Sequence, residues 1–163
     1  MVIEILEFDL GGESYAMDIG IAREIVEMLP ITPIPRAPSH VTGLLNLRGE
    51  ITTIINLHHL LGITPSKKPE EQKIMVFVPD MFENTSVGVI VDEVRSVLTI
   101  DESSVDTNIK SVDEQMSDYV QGIIKLGEDE TLRTEAVPEG YEAEKRLIIW
   151  VDVKKILTET TEI

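Results

Sequence analysis

The chain has no cysteine, which removes disulfides, cysteine-ligated zinc and thiol nucleophiles together. Aromatic residues are scarce, with one Trp, three Tyr and three Phe, too few for the ring-lined groove that a proline-rich ligand wants. Basic residues are also in short supply: 14 Lys and Arg face 30 Asp and Glu, a net charge of −16. Counterion release from phosphates needs clustered cations, so nucleic acid is excluded as a partner, and an anionic membrane surface would repel the chain. Solubility is the simplest use of that acidity. No apolar run approaches the ~20 residues of a membrane-spanning helix, so no membrane insertion is expected. The opening MVIEILEFDLGG alternates and carries acids, unlike a signal peptide, and a cytoplasmic location is expected.

Catalytic signatures are missing as well: GxGxxG, Walker A, GxSxG, HExxH and EF-hand patterns do not occur. The histidines are His40, His58 and His59. Adjacent residues on a helix diverge by about 100°, so His58 and His59 cannot face one metal from the same helix. Both are expected on the wet side of an amphipathic helix. No catalytic residue, cofactor or metal site is assigned, and no enzymatic activity is expected.

What is present is mostly period two. Leu6, Phe8 and Leu10 alternate with Glu7 and Asp9, as in a half-buried strand. Gly11-Gly12 supplies a hairpin turn, and Tyr15, Met17 and Ile19 return from it. Pro30, Pro33, Pro35 and Pro38 punctuate a connection that is no helix interior. Leu44 to Leu47 and Ile51 to Leu57 flank a turn at Arg48-Gly49-Glu50, and Ile74 to Val78, Val87 to Val91 and Val94 to Ile100 read as β-branched strands. Short helices are expected at Leu57 to Leu61 and Val153 to Leu157, capped by Asn56 and Asp152.

These segments recur. TIINLHHLL at 53–61 matches IWVDVKKIL at 149–157 type for type, and GLLNL at 43–47 matches GIIKL at 122–126. Tyr15, Met17, Ile19, Ala22 and Ile25 share their spacing with Val87, Val89, Val91, Val94 and Val97. Three segments repeated in one order point to two copies of a small β unit, hence two small barrels. The copies differ at one hairpin. Leu47 and Ile51 are joined by three residues, whereas Leu126 and Leu147 are joined by 20, carrying seven acids and three basic residues. This acidic stretch, 127–145 in essence, reads as an inserted hairpin or loop.

Arg48 admits two readings: a solvated turn cation or partner for Glu50, or a planar donor fork offered to another protein. Ala22, Ile25, Val94 and Val97 are likewise either core or the lining of a groove where the two barrels meet.

FDLGGESYAMDIGIAREIVE, ITPIPRAPSHVTGLLNLRGEITTIINL, VGVIVDEVRSVLTI, YVQGIIKL and RLIIWVDVKKIL resemble, in order, the segments of CheW-like domains. The resemblance covers nearly the whole chain except 127–145, and its centre is Gly43-Leu44-Leu45-Asn46-Leu47-Arg48-Gly49. It implies a mainly β fold of two intertwined five-stranded SH3-like barrels on a common core. The expected division is a first barrel over 13–72 and a second over 73–157 with the strand 2–10. It also implies a non-catalytic chemotaxis adaptor between the cytoplasmic helical tips of chemoreceptors and the CheW-like regulatory domain of the histidine kinase CheA, recruited to membrane-associated receptor arrays. By this resemblance Glu24 and Arg48 form a salt bridge near the coupling surface, with Gly43 and Asn46 in the same motif. Ala22, Ile25, Val94 and Val97 then flank the groove that takes a receptor helix. Thr53 and Asn56 stand where the family commonly has proline and aspartate, and Ala22 where it often has valine. No receiver domain follows and no kinase segment precedes, so the adaptor alone is expected. A generic SH3-like peptide-binding module outside chemotaxis is the alternative.

Overall fold

Glycines at 11 and 12, both at positive φ, turn β1 (Val2–Leu10) back into β2 (Glu13–Asp18). The computed structural model describes residues 1–79, 85–107, 119–126 and 146–160, and the acidic stretch 127–145 lies outside them. A 3₁₀ turn at Ile19–Ile21 leads to β3 (Ala22–Glu27). The proline-rich connection then reaches the hairpin of β4 (Val41–Leu47) and β5 (Glu50–Asn56), which runs into α1 (Leu57–Leu61). The second copy repeats the order with β6 (Lys73–Phe77), β7 (Ser86–Val91) and β8 (Glu93–Asp101). A short β9 (Val105–Asp106) precedes β10 (Val120–Leu126), β11 (Arg146–Val151) and α2 (Val153–Thr160).

Both helices start as their sequences dictate. The Asn56 side chain accepts from the His59 amide at 3.1 Å, and Asp152 accepts from the Lys155 amide at 3.0 Å, each satisfying an amide that has no partner within its helix.

Hydrogen bonding sorts the strands into a six-stranded sheet, β8-β1-β2-β11-β10-β9, and a five-stranded sheet, β3-β6-β7-β5-β4. The repeat is visible in the pairing. β5 runs parallel to β7 in one sheet and β11 parallel to β2 in the other, while every other pair is antiparallel. The mainly β, two-barrel architecture is the one observed, with β9 added as a sixth strand to one sheet. The division of the chain at residue 72 needs correction. The first copy lends β1 and β2 to the sheet of β8, β10 and β11, and the second lends β6 and β7 to the sheet of β3, β4 and β5. Each barrel is completed by a hairpin of the other copy.

This exchange explains why the exchanged strands bury both faces. In β6, Ile74 and Val76 fill the inside of the five-stranded sheet with Leu45, Ile54 and Ile90, whereas Met75 and Phe77 point into a cluster shared by both sheets. In β1, Ile5 packs inside the six-stranded sheet with Ala16, Ile100, Ile124 and Ile148, whereas Leu6, Phe8 and Leu10 join the shared cluster. The reading of β1 as half-buried is thus corrected: residues 5–10 are all buried, Glu7 and Asp9 included. Full burial of each large apolar side chain stabilises by about 1.5–3 kcal/mol, so the shared cluster welds the barrels into one body.

Candidate functional site

The β4–β5 turn consists of Arg48 and Gly49, flanked by the last register pair Leu47 and Glu50. Both turn residues have positive φ, 51° and 85°, as the tight two-residue hairpin matching strand twist requires. Asn46 supports it by accepting from the Gly49 amide at 3.0 Å. Arg48 therefore stands out from the turn, its side chain 71% exposed, and reaches Glu24 on the edge strand β3. Arg48 thus takes the partner that the resemblance implies, and Glu50, the alternative partner, is held by Arg23 at 3.0 Å. The four charged groups rim a recess of about 80 Å³, on whose wall the hydroxyls of Thr52 and Ser86 share a hydrogen bond of 2.8 Å.

Gly43, of the same motif, lies farther along β4 from the turn. It is buried at a bulge of β4, with φ of 154°, where Thr32 bridges to Leu44 in both directions at 2.8–2.9 Å. A Cβ at Gly43 would lie 2.2 Å from the Thr32 carbonyl oxygen. Gly122 marks the matching bulge of β10, where a Cβ would meet Val105 at 2.5 Å.

Ala22 and Ile25 lie on β3 and Val94 and Val97 on β8, edge strands of the two sheets. Ala22 and Val94 are partly buried against the shared cluster, whereas Ile25 and Val97 are 45% and 53% exposed. Each edge therefore has one residue rooted in the common core and one facing outward.

Composition and periodicity missed a polar hub. His58 is 2% exposed rather than on the wet side of α1, and its Nε2 lies 2.9 Å from Asp92. Asp92 is fully buried and also accepts from the Gly11 amide at 2.7 Å, the Ser66 amide and hydroxyl at 3.1 Å and the Gln72 amide nitrogen at 3.0 Å. Burial pushes the Asp92 carboxyl up, but hydrogen bonds from Gln72, Gly11, His58 and Ser66 outweigh it and hold the group well below the usual carboxylate range. Nearby, Arg95 grips Asp9 with Nε and Nη2 at 2.6–3.0 Å, and Lys67 meets Glu93 at 2.7 Å. The bond from Lys67 lowers the Glu93 carboxyl, and donation to the Asp9 carboxylate raises the Arg95 guanidinium. The signal in the sequence was the apolar setting of Asp92, the first acid after the run VGVIV.

The CheW-like domain model matches residues 4–161. The chain belongs to the CheW-like family. It is similar to the chemotaxis protein CheW of Thermotoga maritima, at 30% identity over 158 residues, covering 97% of this chain and 89% of that one. The CheW of Treponema pallidum is 30% identical over 125 residues, 76% of this chain and 74% of its own. Among solved structures, the scaffolding protein TtCheW from Thermoanaerobacter tengcongensis superposes with a TM-score of 0.70 at 28% identity, covering 96% of this chain and 88% of that chain. Function follows from the family: a non-catalytic scaffold of chemotaxis, as CheW proteins couple receptors and CheA. The peptide-module alternative is not favoured. Among the described residues no helix is long and apolar enough to cross a membrane.

Proposed function

We propose that this CheW-like chain binds the helical cytoplasmic tip of a chemoreceptor along the β3 and β8 edges, and the regulatory domain of CheA through the ends of its barrels. It is thereby held at membrane-associated receptor arrays. The observation that carries the receptor site is the pattern on the two edges: Ala22 and Val94 are anchored in one shared cluster, with Ile25 and Val97 exposed beside them. Aliphatic side chains left in water at equivalent places of two copies suit an apolar helix face. Glu24, next to Ile25 in β3 but on the other face of the strand, holds Arg48 of the β4–β5 turn and adds a charged group at the same sheet edge. For the kinase, Ile51 and Leu147 support the barrel ends: they are equivalent in the repeat and 58% and 56% exposed.

The test is co-sedimentation with receptor-bearing membranes and CheA. Val97→Lys places a charge in the apolar contact, so receptor binding is lost while kinase binding holds. Loss of kinase binding with receptor binding intact would overturn the assignment.

A further inference from the structure

The chain crosses between the two sheets once in each copy, and the two crossings are built differently. In the second copy β7 of the five-stranded sheet becomes β8 of the six-stranded sheet through a single residue, Asp92. In the first copy β2 becomes β3 through Ile19–Ile21. The repeat spacing, Ile19 with Val91 and Ala22 with Val94, places Gly20 opposite Asp92.

Asp92 is tied from three sides. Gly11 belongs to the β1–β2 turn of the six-stranded sheet, His58 to α1 after β5, and Ser66 and Gln72 to the connection entering β6. Its own amide donates to the Asp9 carbonyl at 3.0 Å, and the Asp9 side chain holds Arg95 of β8. Gly20 has no such anchor, and a Cβ there would meet nothing within 4 Å. The first crossing is held by Ile19 and Ile21 against the shared cluster, by Val78 donating to the Ile21 carbonyl at 3.0 Å, and by Trp150 donating to Asp18 at 3.1 Å. Apolar packing is non-directional and tolerates small shifts, whereas five hydrogen bonds on one carboxylate fix both place and angle.

We infer that Asp92 is a positioning residue: it pins the β7–β8 crossing, so that Val94 and Val97 form the fixed wall of the docking seam, while Ala22 and Ile25, on the crossing without such a hub, form the wall that adjusts to the docked helix. The inference rests on the seam being the receptor site, and it adds which side of that site is built to move.

Asp92→Asn keeps the shape but turns one acceptor oxygen into a donor facing N–H groups. Gln72→Met, a second and milder variant, strips only the contact to the other oxygen. Amide hydrogen exchange and affinity for a receptor-tip helix and for the kinase regulatory domain are measured on folded protein. In Asp92→Asn, exchange at 93–97 rises at least tenfold more than at 22–27, and helix affinity falls at least tenfold while kinase affinity stays within twofold. Gln72→Met shifts the same readouts in the same direction, and Gly20→Ala shifts none. A uniform rise in exchange with both affinities falling together would reduce Asp92 to a stabiliser of the whole fold and overturn the inference, as would unchanged exchange at 93–97. Wild-type protein that binds no receptor helix would sink the docking reading instead, a result separable from the exchange contrast.

Discussion

Arg48 and Glu24, 24 residues apart on opposite edges of the five-stranded sheet, are joined in an ion pair at the rim of the recess between them. An exposed pair of this kind contributes at most about 1 kcal/mol, because water and salt screen it and two long side chains lose rotamers to hold it. Its value lies in where it puts a guanidinium.

Arg48→Ala should therefore melt near wild type and still lose receptor control of the kinase. The charge-reversed double variant, Arg48→Glu with Glu24→Arg, restores an ion pair but not the presented guanidinium. We expect no recovery of coupling in the reconstituted kinase assay. Full recovery would show that the pair matters only internally.

Gly43→Ala is expected to destabilise by about 2 kcal/mol or more, since a side chain at its positive φ is strained and the new methyl collides with backbone. Gly12→Ala, with open space around it, should cost less. Denaturant midpoints for the two variants give the comparison, and equal losses would discount the Thr32 approach.

The Asp92 carboxyl has a lower pKa folded than unfolded. Its contribution to stability is then complete above the unfolded value of about 3.9 and is lost progressively as pH falls below it. Asp92→Asn should cost about 3 kcal/mol at neutral pH, and its penalty should shrink as pH falls from about 4 towards 2. Urea unfolding of both proteins over that range would show convergence, and parallel curves would assign the acid limb to other carboxylates.

The acidic stretch should be dispensable for folding. β10 and β11 close on the pair Leu126 and Arg146, as β4 and β5 close on Leu47 and Glu50, and the latter pair needs only two turn residues. Replacing 127–145 by Asn-Gly should preserve the fold, because loop closure costs about 0.6 kcal/mol per doubling of length and a shorter loop lowers it. Partner choice is where a change is expected, through loss of seven negative charges at one barrel. Circular dichroism and thermal melting decide the first point, and an unfolded variant would return the stretch to the core.

Much of this was legible in the chain because it is local. Period-two alternation identified the principal strands, Asn56 and Asp152 announced the helix starts, and the recurrence of three segments announced the duplication. The NLRG turn and the matched segments also identified the family and marked Arg48, whose exposure follows from a two-residue turn. Tertiary structure decided the rest. Alternation says that a strand has two faces but not what lies against each, so the burial of Glu7 and Asp9 inside an exchanged barrel could not be read from β1 alone. His58 looked solvent-facing because its partner, Asp92, is 34 residues away and reaches it only after β7 has joined the sheet of the other copy. Strand exchange is a long-range choice, made by which hydrophobic faces close a common core, and no local pattern in this sequence encodes it.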